Sequence, residues 1–314
     1  MVDYINTVLA KKEVTYATDS APTPALNAVL TRNAKITPLV VDLLDRNLDL
    51  PSRGAAAGVP TNERALISYE VELQGSGAAG TAPPWMIQNE ACGMAPAVLT
   101  AAVRAEQRMA AVGAAISSLT QWGYVGDQLF KMVGSRGDIS GIDFTAGQYP
   151  FLSYDFLGLV PTGAIGSVSA LAGAIFTAYR DPVEVSITNT SFALGGFAAN
   201  LRSLKAQANA APKLRNLVGV RYIQRPNHTL DCTVTCELPS VAARNYFADL
   251  RSGARIPLQI IHGTVAGLIV QLDSANYQVN AIDFSNEDDI VMATITGKLT
   301  ITAAGQDDIL ITAK

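Results

Sequence analysis

Residues 141–144 read Gly141-Ile142-Asp143-Phe144, and 140 positions later the chain reads Ala281-Ile282-Asp283-Phe284. A repeat at that distance spans one domain-sized unit. The offset holds without a gap between residues 124–159 and 264–299. Five of those 36 pairs are identical, against about two expected from residue frequencies. Others keep their apolar character: Leu129/Ile269, Phe130/Val270, Ile139/Val279 and Phe151/Val291.

The elements around the repeat come in one order. Residues 230–238, LDCTVTCEL, alternate apolar and polar and predict a half-buried strand. Ser240 is placed to cap a helix carrying Ala243, Phe247 and Leu250, with Gly253 at its end. Strands at 258–261 and 268–272 form a hairpin across 262–267, and further strands follow at 278–284 and 290–302. In the first half, Ile67, Tyr69, Val71 and Leu73 alternate with Ser68, Glu70 and Glu72. A short helix fits 84–92, with Pro84 in its first turn and Gly93 after it. Strands fit 128–133, 138–144 and 151–157. Each half therefore reads as strand, helix and meander. The expected fold is mainly β, two tandem units with one flanking helix each, divided at 1–175 and 176–314. The Ala-rich segment 95–122 interrupts the match, and its centre is compatible with a helix.

Composition narrows the function classes. The chain is 49% hydrophobic and 16% charged, too apolar for disorder, and it leaves apolar area to bury, in part against other subunits. A net charge of −4 disfavours a general nucleic-acid binder. Cys232 and Cys236 lie four apart on one strand face, about 13 Å from each other, too far for a disulfide. With His228 and His262 at no ligand spacing, Cys92, Cys232 and Cys236 read as small core residues rather than a metal site. Residues 1–14 lack the basic start and apolar core of a signal peptide. The uncharged segment 156–179 holds Pro161 and four glycines and reads as an inter-domain connection, partly strand, not a membrane span.

One motif argues for an enzyme. Gly75-Ser76-Gly77-Ala78-Ala79-Gly80 matches the dinucleotide-binding pattern letter for letter. Its context disagrees. Glu70 and Glu72 make the preceding strand two-faced, where a buried parallel strand is required. Pro83 and Pro84 delay the helix that should open at the last glycine. The loop reads instead as a small-residue turn from strand to helix. No other catalytic pattern is present, Glu287-Asp288-Asp289 reads as a solvated turn, and no cofactor is expected.

Arg202, Lys205, Lys213, Arg215, Arg221 and Arg225 share a stretch without acids. The matching stretch of the first half carries Asp42, Asp45 and Asp49 beside Arg46 and Arg53. Loops at 45–63 and 205–225 are candidates for contacts between subunits in an assembly. Asp45, Asp49, Arg53, Lys213, Arg215 and Arg221 are the residues expected to make them, so reversing Arg215 and Arg221 to Glu should weaken self-assembly.

The chain resembles the major tail tube proteins of long-tailed bacteriophages, in a two-domain version. The resemblance rests on ELQGSGAAGTAP followed by Ala91-Cys92-Gly93, on LAKKEVTYATD at 9–19 and on Asn27-Ala28-Val29-Leu30. Asp45-Arg46-Asn47-Leu48, Gly134-Ser135-Arg136-Gly137 and Ala303-Ala304-Gly305-Gln306 before Asp307-Asp308-Ile309-Leu310-Ile311 add to it. It implies β-sandwich or barrel units, a structural role without enzymatic activity and self-assembly into stacked rings, with trimers of two-unit chains replacing hexamers. DNA would pass through the lumen without specific binding. Partners would be further copies and the tape measure, distal tail and terminator proteins. The site of action would be the virion tail, after synthesis in the host cytoplasm. An acidic lumen would repel phosphates over about 8 Å at physiological salt. A carbohydrate-binding sandwich or tail adhesin is the alternative, but aromatics are 7% and Trp85 and Trp122 stand apart.

Overall fold

A computed structural model describes residues 6–49, 51 and 54–314. The first half contains β1 (Asn6–Lys12), α1 (Pro24–Asn27), β2 (Ala28–Val29), β3 (Arg32–Leu44), β4 (Val59–Glu72) and α2 (Met86–Ala91). It continues with β5 (Val98–Thr100), β6 (Arg104–Arg108), β7 (Leu119–Val125), β8 (Gln128–Thr145), β9 (Phe151–Leu159) and β10 (Ser167–Val168). The second half contains β11 (Thr190–Leu194), β12 (Leu201–Gln207), β13 (Lys213–Leu217), β14 (Val220–Gln224) and β15 (Leu230–Glu237). It ends with α3 (Tyr246–Ser252), β16 (Arg255–His262), β17 (Val270–Glu287), β18 (Ile290–Leu299) and β19 (Leu310–Ala313). The chain is mainly β, half of it in strands and a few per cent in helices.

The ladder order of the first half recurs in the second. β3 pairs β4, β4 pairs β9, β9 pairs β8, β8 pairs β7 and β7 pairs β1. Likewise β12 pairs β15, β15 pairs β18, β18 pairs β17, β17 pairs β16 and β16 pairs β11. All these ladders are antiparallel. β8 and β17 each run 18 residues and serve two sheets. Their early residues pair with β7 or β16, their later residues with β9 or β18. Each was expected as two strands. A bulge lets the one strand bend from sheet to sheet instead. The bulges fall between Ile139 and Gly141 and between Val279 and Ala281, at the 140-residue offset.

That offset does not continue through the next strand. Gly141 faces Ser153, whereas Ala281 faces Thr296. The register thus moves on by three residues after the turn, and Phe151 and Val291 are not equivalent. Turn length is the cause. Asp288 and Asp289 both take positive φ and close a two-residue hairpin between Glu287 and Ile290. The first hairpin closes between Asp143 and Phe151 across a longer loop.

Two further expectations change. α3 begins at Tyr246, capped by Asn245, whose side chain accepts from the Ala248 N–H at 3.0 Å. Ser240 closes the turn before it, accepting from the Ala243 N–H at 3.3 Å. Gly253 ends the helix in the left-handed region, as its position suggested. The Ala-rich segment is not helical. It forms the β5–β6 hairpin, and β6 pairs with the C-terminal β19. Alternating burial in Arg104-Ala105-Glu106-Gln107-Arg108 suits an added strand. Across 156–179 the chain leaves β9 at Leu159 and pairs with β8 again through the short β10, while Leu171, Ala174 and Phe176 pack on the cluster that holds Leu129.

One core joins both halves. It includes Ile67, Tyr69, Val71, Trp85, Phe144, Tyr154 and Phe156, together with Leu204, Cys232, Val234, Cys236, Tyr277 and Ile295. Tyr69, Tyr154 and Phe156 pack ring to ring at 5.6–5.8 Å. α2 lies under this sheet: Trp85 Nε1 donates to Gln74 O at 2.7 Å, and Tyr154 OH donates to Asn89 Oδ1 at 2.7 Å.

Candidate functional site

The end of β8 carries a second partner. Residues Ile142–Thr145 pair with β9 or its turn on one side and with Ser203–Ala206 of β12 on the other. This joins the two halves into one antiparallel sheet of eight strands, β3-β4-β9-β8-β12-β15-β18-β17. Lys205 and Asp143 form an ion pair across the junction at 3.2 Å. Phe144 and Leu204, opposite one another, are fully buried.

The sheet has two open ends. Among the described residues, the outer edge of β3 and the outer edge of β17 beyond Ile282 carry no ladder. Asp283, Phe284, Ser285, Asn286 and Glu287 are all exposed. Open edges of this length are templates for pairing with another chain.

The two faces differ. Ile67, Tyr69, Val71, Cys232, Val234, Cys236, Ala293 and Ile295 point into the core. The alternate residues of the same strands face outward and are half-buried or exposed: Glu70, Glu72, Asp143, Asp155, Asp231, Glu237 and Asp283. Arg32, Lys35, Lys205 and Lys298 share that face, so carboxylates predominate on it.

The sequence-nominated loops are positioned as follows. Asp45 and Asp49 are exposed beyond the end of β3. Arg53 lies outside the described residues. Of the expected loop 45–63, the last residues belong to β4. Of the expected loop 205–225, most forms the β13–β14 hairpin. Lys213 and Arg215 are exposed on that hairpin. Arg221 donates within the chain to Glu63 O, and Asn216 Nδ2 donates to Asn62 Oδ1 at 3.0 Å. The hairpin of the second half therefore lies against the loop-side part of β4 in the first. Arg225 is buried beside Gly93, and burial holds its guanidinium below the ordinary range.

Sequence reasoning missed the residue that ties two of its own motifs together. Glu13 is buried, and its carboxylate accepts four hydrogen bonds. They come from Ala17 N–H at 2.8 Å, Ser118 Oγ at 2.6 Å, Thr120 Oγ1 at 3.0 Å and Gly134 N–H at 2.7 Å. Gly134 sits at a register shift of β8 with φ +58°. Tyr16 packs against Gly134 and lies 5.0 Å beneath the Arg136 guanidinium. The available signal was an acid inside LAKKEVTYATD, a stretch used only for the family resemblance.

The glycine motif has a structural use. β4 is antiparallel to both neighbours, so the parallel strand a dinucleotide loop requires is missing there. Gly77 N–H donates to Gly267 O at 2.9 Å. A Cβ on Gly75 would lie 2.1 Å from Gly267 O. The loop is one of the places where the two halves touch backbone to backbone, beside the β8–β12 and β6–β19 ladders. All three cysteines are free and buried. Burial pushes the Cys232 thiol up to about 12 and the Cys236 thiol to about 11. No group of His, Cys, Asp or Glu that could hold a metal ion occurs among the described residues. Nor is any of their helices long and apolar enough to cross a membrane.

The phage tail tube protein family matches residues 5–299. This chain belongs to that family. The match covers nearly the whole chain and both repeated halves, so the expected family is shown and the role is structural, as a component of the virion tail. No curated protein matches the chain. Membership of the tail tube family implies self-assembly and contact with other tail proteins.

Proposed function

We propose that this chain polymerises into the phage tail tube as stacked rings around a channel for DNA, each ring a trimer with pseudo-sixfold symmetry. The carrying observation is the eight-stranded sheet open at both ends. With an even number of antiparallel strands, its first and last strands run in opposite directions. The last strand of one copy can therefore continue antiparallel into the first strand of the next. Closure removes both open edges, as only a complete ring of strands can. Three copies give about 24 strands; at about 4.8 Å spacing and about 40° tilt, that barrel is about 48 Å across its backbone. Barrels with fewer strands already hold water-filled channels.

The recurring ladder order supports two tail-tube units per chain, 1–175 and 176–314. The carboxylate-rich face fits a lumen that repels phosphate. Asp45, Asp49, Lys213 and Arg215, exposed on two projecting loops, fit contacts to the next ring, where head-to-tail stacking builds an open filament. Arg53 and Arg221 remain in that proposal, Arg221 with a cis contact as well. Such a tube, made in the host cytoplasm, would meet tape measure, distal tail and terminator proteins along its length and at its ends.

Electron microscopy of the purified chain across a concentration series tests this. Threefold rings or tubes with an acidic lumen are expected. Sixfold rings of six separate chains, or a basic lumen, would refute the trimer or the channel charge.

A further inference from the structure

The junction between the two halves is a template for the junction between copies. The repeat supplies the equivalence. Ile142, Leu152 and Val71 lie in one row across β8, β9 and β4. Ile282, Ile295 and Val234 form the same row across β17, β18 and β15. Val71 thus corresponds to Val234, and Glu70 to Thr233. Arg32 faces Glu70, and Lys205 faces Thr233. Arg32 is therefore the counterpart of Lys205, and Asp283 the counterpart of Asp143.

Within the chain, Lys205 meets Asp143 and Leu204 covers Phe144. The counterparts of these contacts are vacant. Phe144 is 0% exposed, whereas Phe284 is 56% exposed. We propose that β17 of one copy pairs antiparallel with the start of β3 of the next, in the register Asp283 opposite Arg32 and Phe284 opposite Thr31. The charges are complementary, as in the internal pair. Arg32 already stands over the outward face, 2.8 Å from Glu70 of its own chain and 4.5 Å above the Phe151 ring, and Asp283 brings it a second carboxylate. Phe284, whose ring stands against Phe247 at 5.9 Å, gains the cover that Leu204 gives Phe144. This rests on the tube reading and adds to it which strands meet and in which register.

Cysteine pairs test it. Both positions are exposed, and facing residues on antiparallel strands fall within disulfide reach. The native cysteines are buried and do not compete. Arg32→Cys with Asp283→Cys, assembled and then oxidised, should give bands at two and three times the chain mass on a non-reducing gel. Lys35→Cys with Asp283→Cys, three residues out of register, should give at least fivefold less. Rings or tubes without the in-register cross-link overturn this register and leave the tube intact. Wild-type chain that neither assembles nor associates at any concentration overturns both. Independently, Asp283→Lys, with its fold checked by circular dichroism, should raise the concentration needed for assembly at least tenfold; an unchanged concentration overturns the proposal.

Discussion

Replacing Glu13 by Gln should destabilise the chain by about 2–3 kcal/mol, with no change in side-chain volume. The carboxylate accepts from two backbone N–H groups and two hydroxyls, each oxygen serving one of each. An amide presents one oxygen and one NH2 group. On the NH2 side, a hydroxyl turns and accepts instead, but the backbone N–H of Ala17 or Gly134 cannot. One buried N–H left unpaired costs about 1–3 kcal/mol. The bonds that remain lose their charge, which removes about half the strength of each. Glu13→Leu leaves both backbone N–H groups and the Ser118 hydroxyl unpaired and leaves Thr120 Oγ1 only Thr18 O, at 3.4 Å, to donate to, so it should cost more than about 4 kcal/mol. Urea unfolding of the unassembled chain, followed by circular dichroism, measures this as a shifted midpoint at constant slope. A Glu13→Gln midpoint within about 0.5 kcal/mol of wild type would refute the reasoning, because it would mean that the clamp on the Gly134 kink carries no net stability.

Three further outcomes are expected. His262 is buried beneath Phe144, and burial lowers its pKa from 6.5. A group whose folded pKa is depressed binds more protons when unfolded, so stability should fall as pH drops through and below 6.5. His262→Gln should flatten that fall between pH 7 and 5.5 in thermal melts, and an unchanged slope would assign it elsewhere. The three buried thiols should not react with a thiol reagent at pH 8 in the native chain and should all react after denaturation; rapid native labelling would contradict their burial. Gly75→Ala should destabilise by about 1–3 kcal/mol, since its Cβ would strike Gly267 O; a neutral effect would show that the two halves do not depend on that close contact.

Much of the fold was legible locally. Alternation in 67–73 and 230–238 marked the strands at the centre of each unit, because a strand buried on one face must alternate. The 140-residue offset marked the long strands, and both carry the same bulge at that offset. The flanking residues argued against phosphate chemistry for the glycine motif, and β4 before it is antiparallel to both its neighbours. Its partner, Gly267, could not be found from sequence, since the two meet only when the halves fold together. The Ala-rich segment was illegible for a related reason. Its strand is decided by the edge of β19, some 200 positions away, and not by local propensity, which tertiary pairing overrides.

The sequence by itself determined the alternating strands, the two-copy order of elements and the family. Tertiary structure decided where the copies join. Asp143 and Asp283 sit in identical local words, Ile-Asp-Phe, and local sequence treats them alike. Folding gives Asp143 a partner strand and leaves Asp283 at an open edge. The physical reason is connectivity: β12 follows the first half in the chain and pairs with the end of β8, while among the described residues β17 beyond Ile282 pairs on one side only, with β18. An open edge strand leaves its hydrogen-bonding groups to water or to another chain.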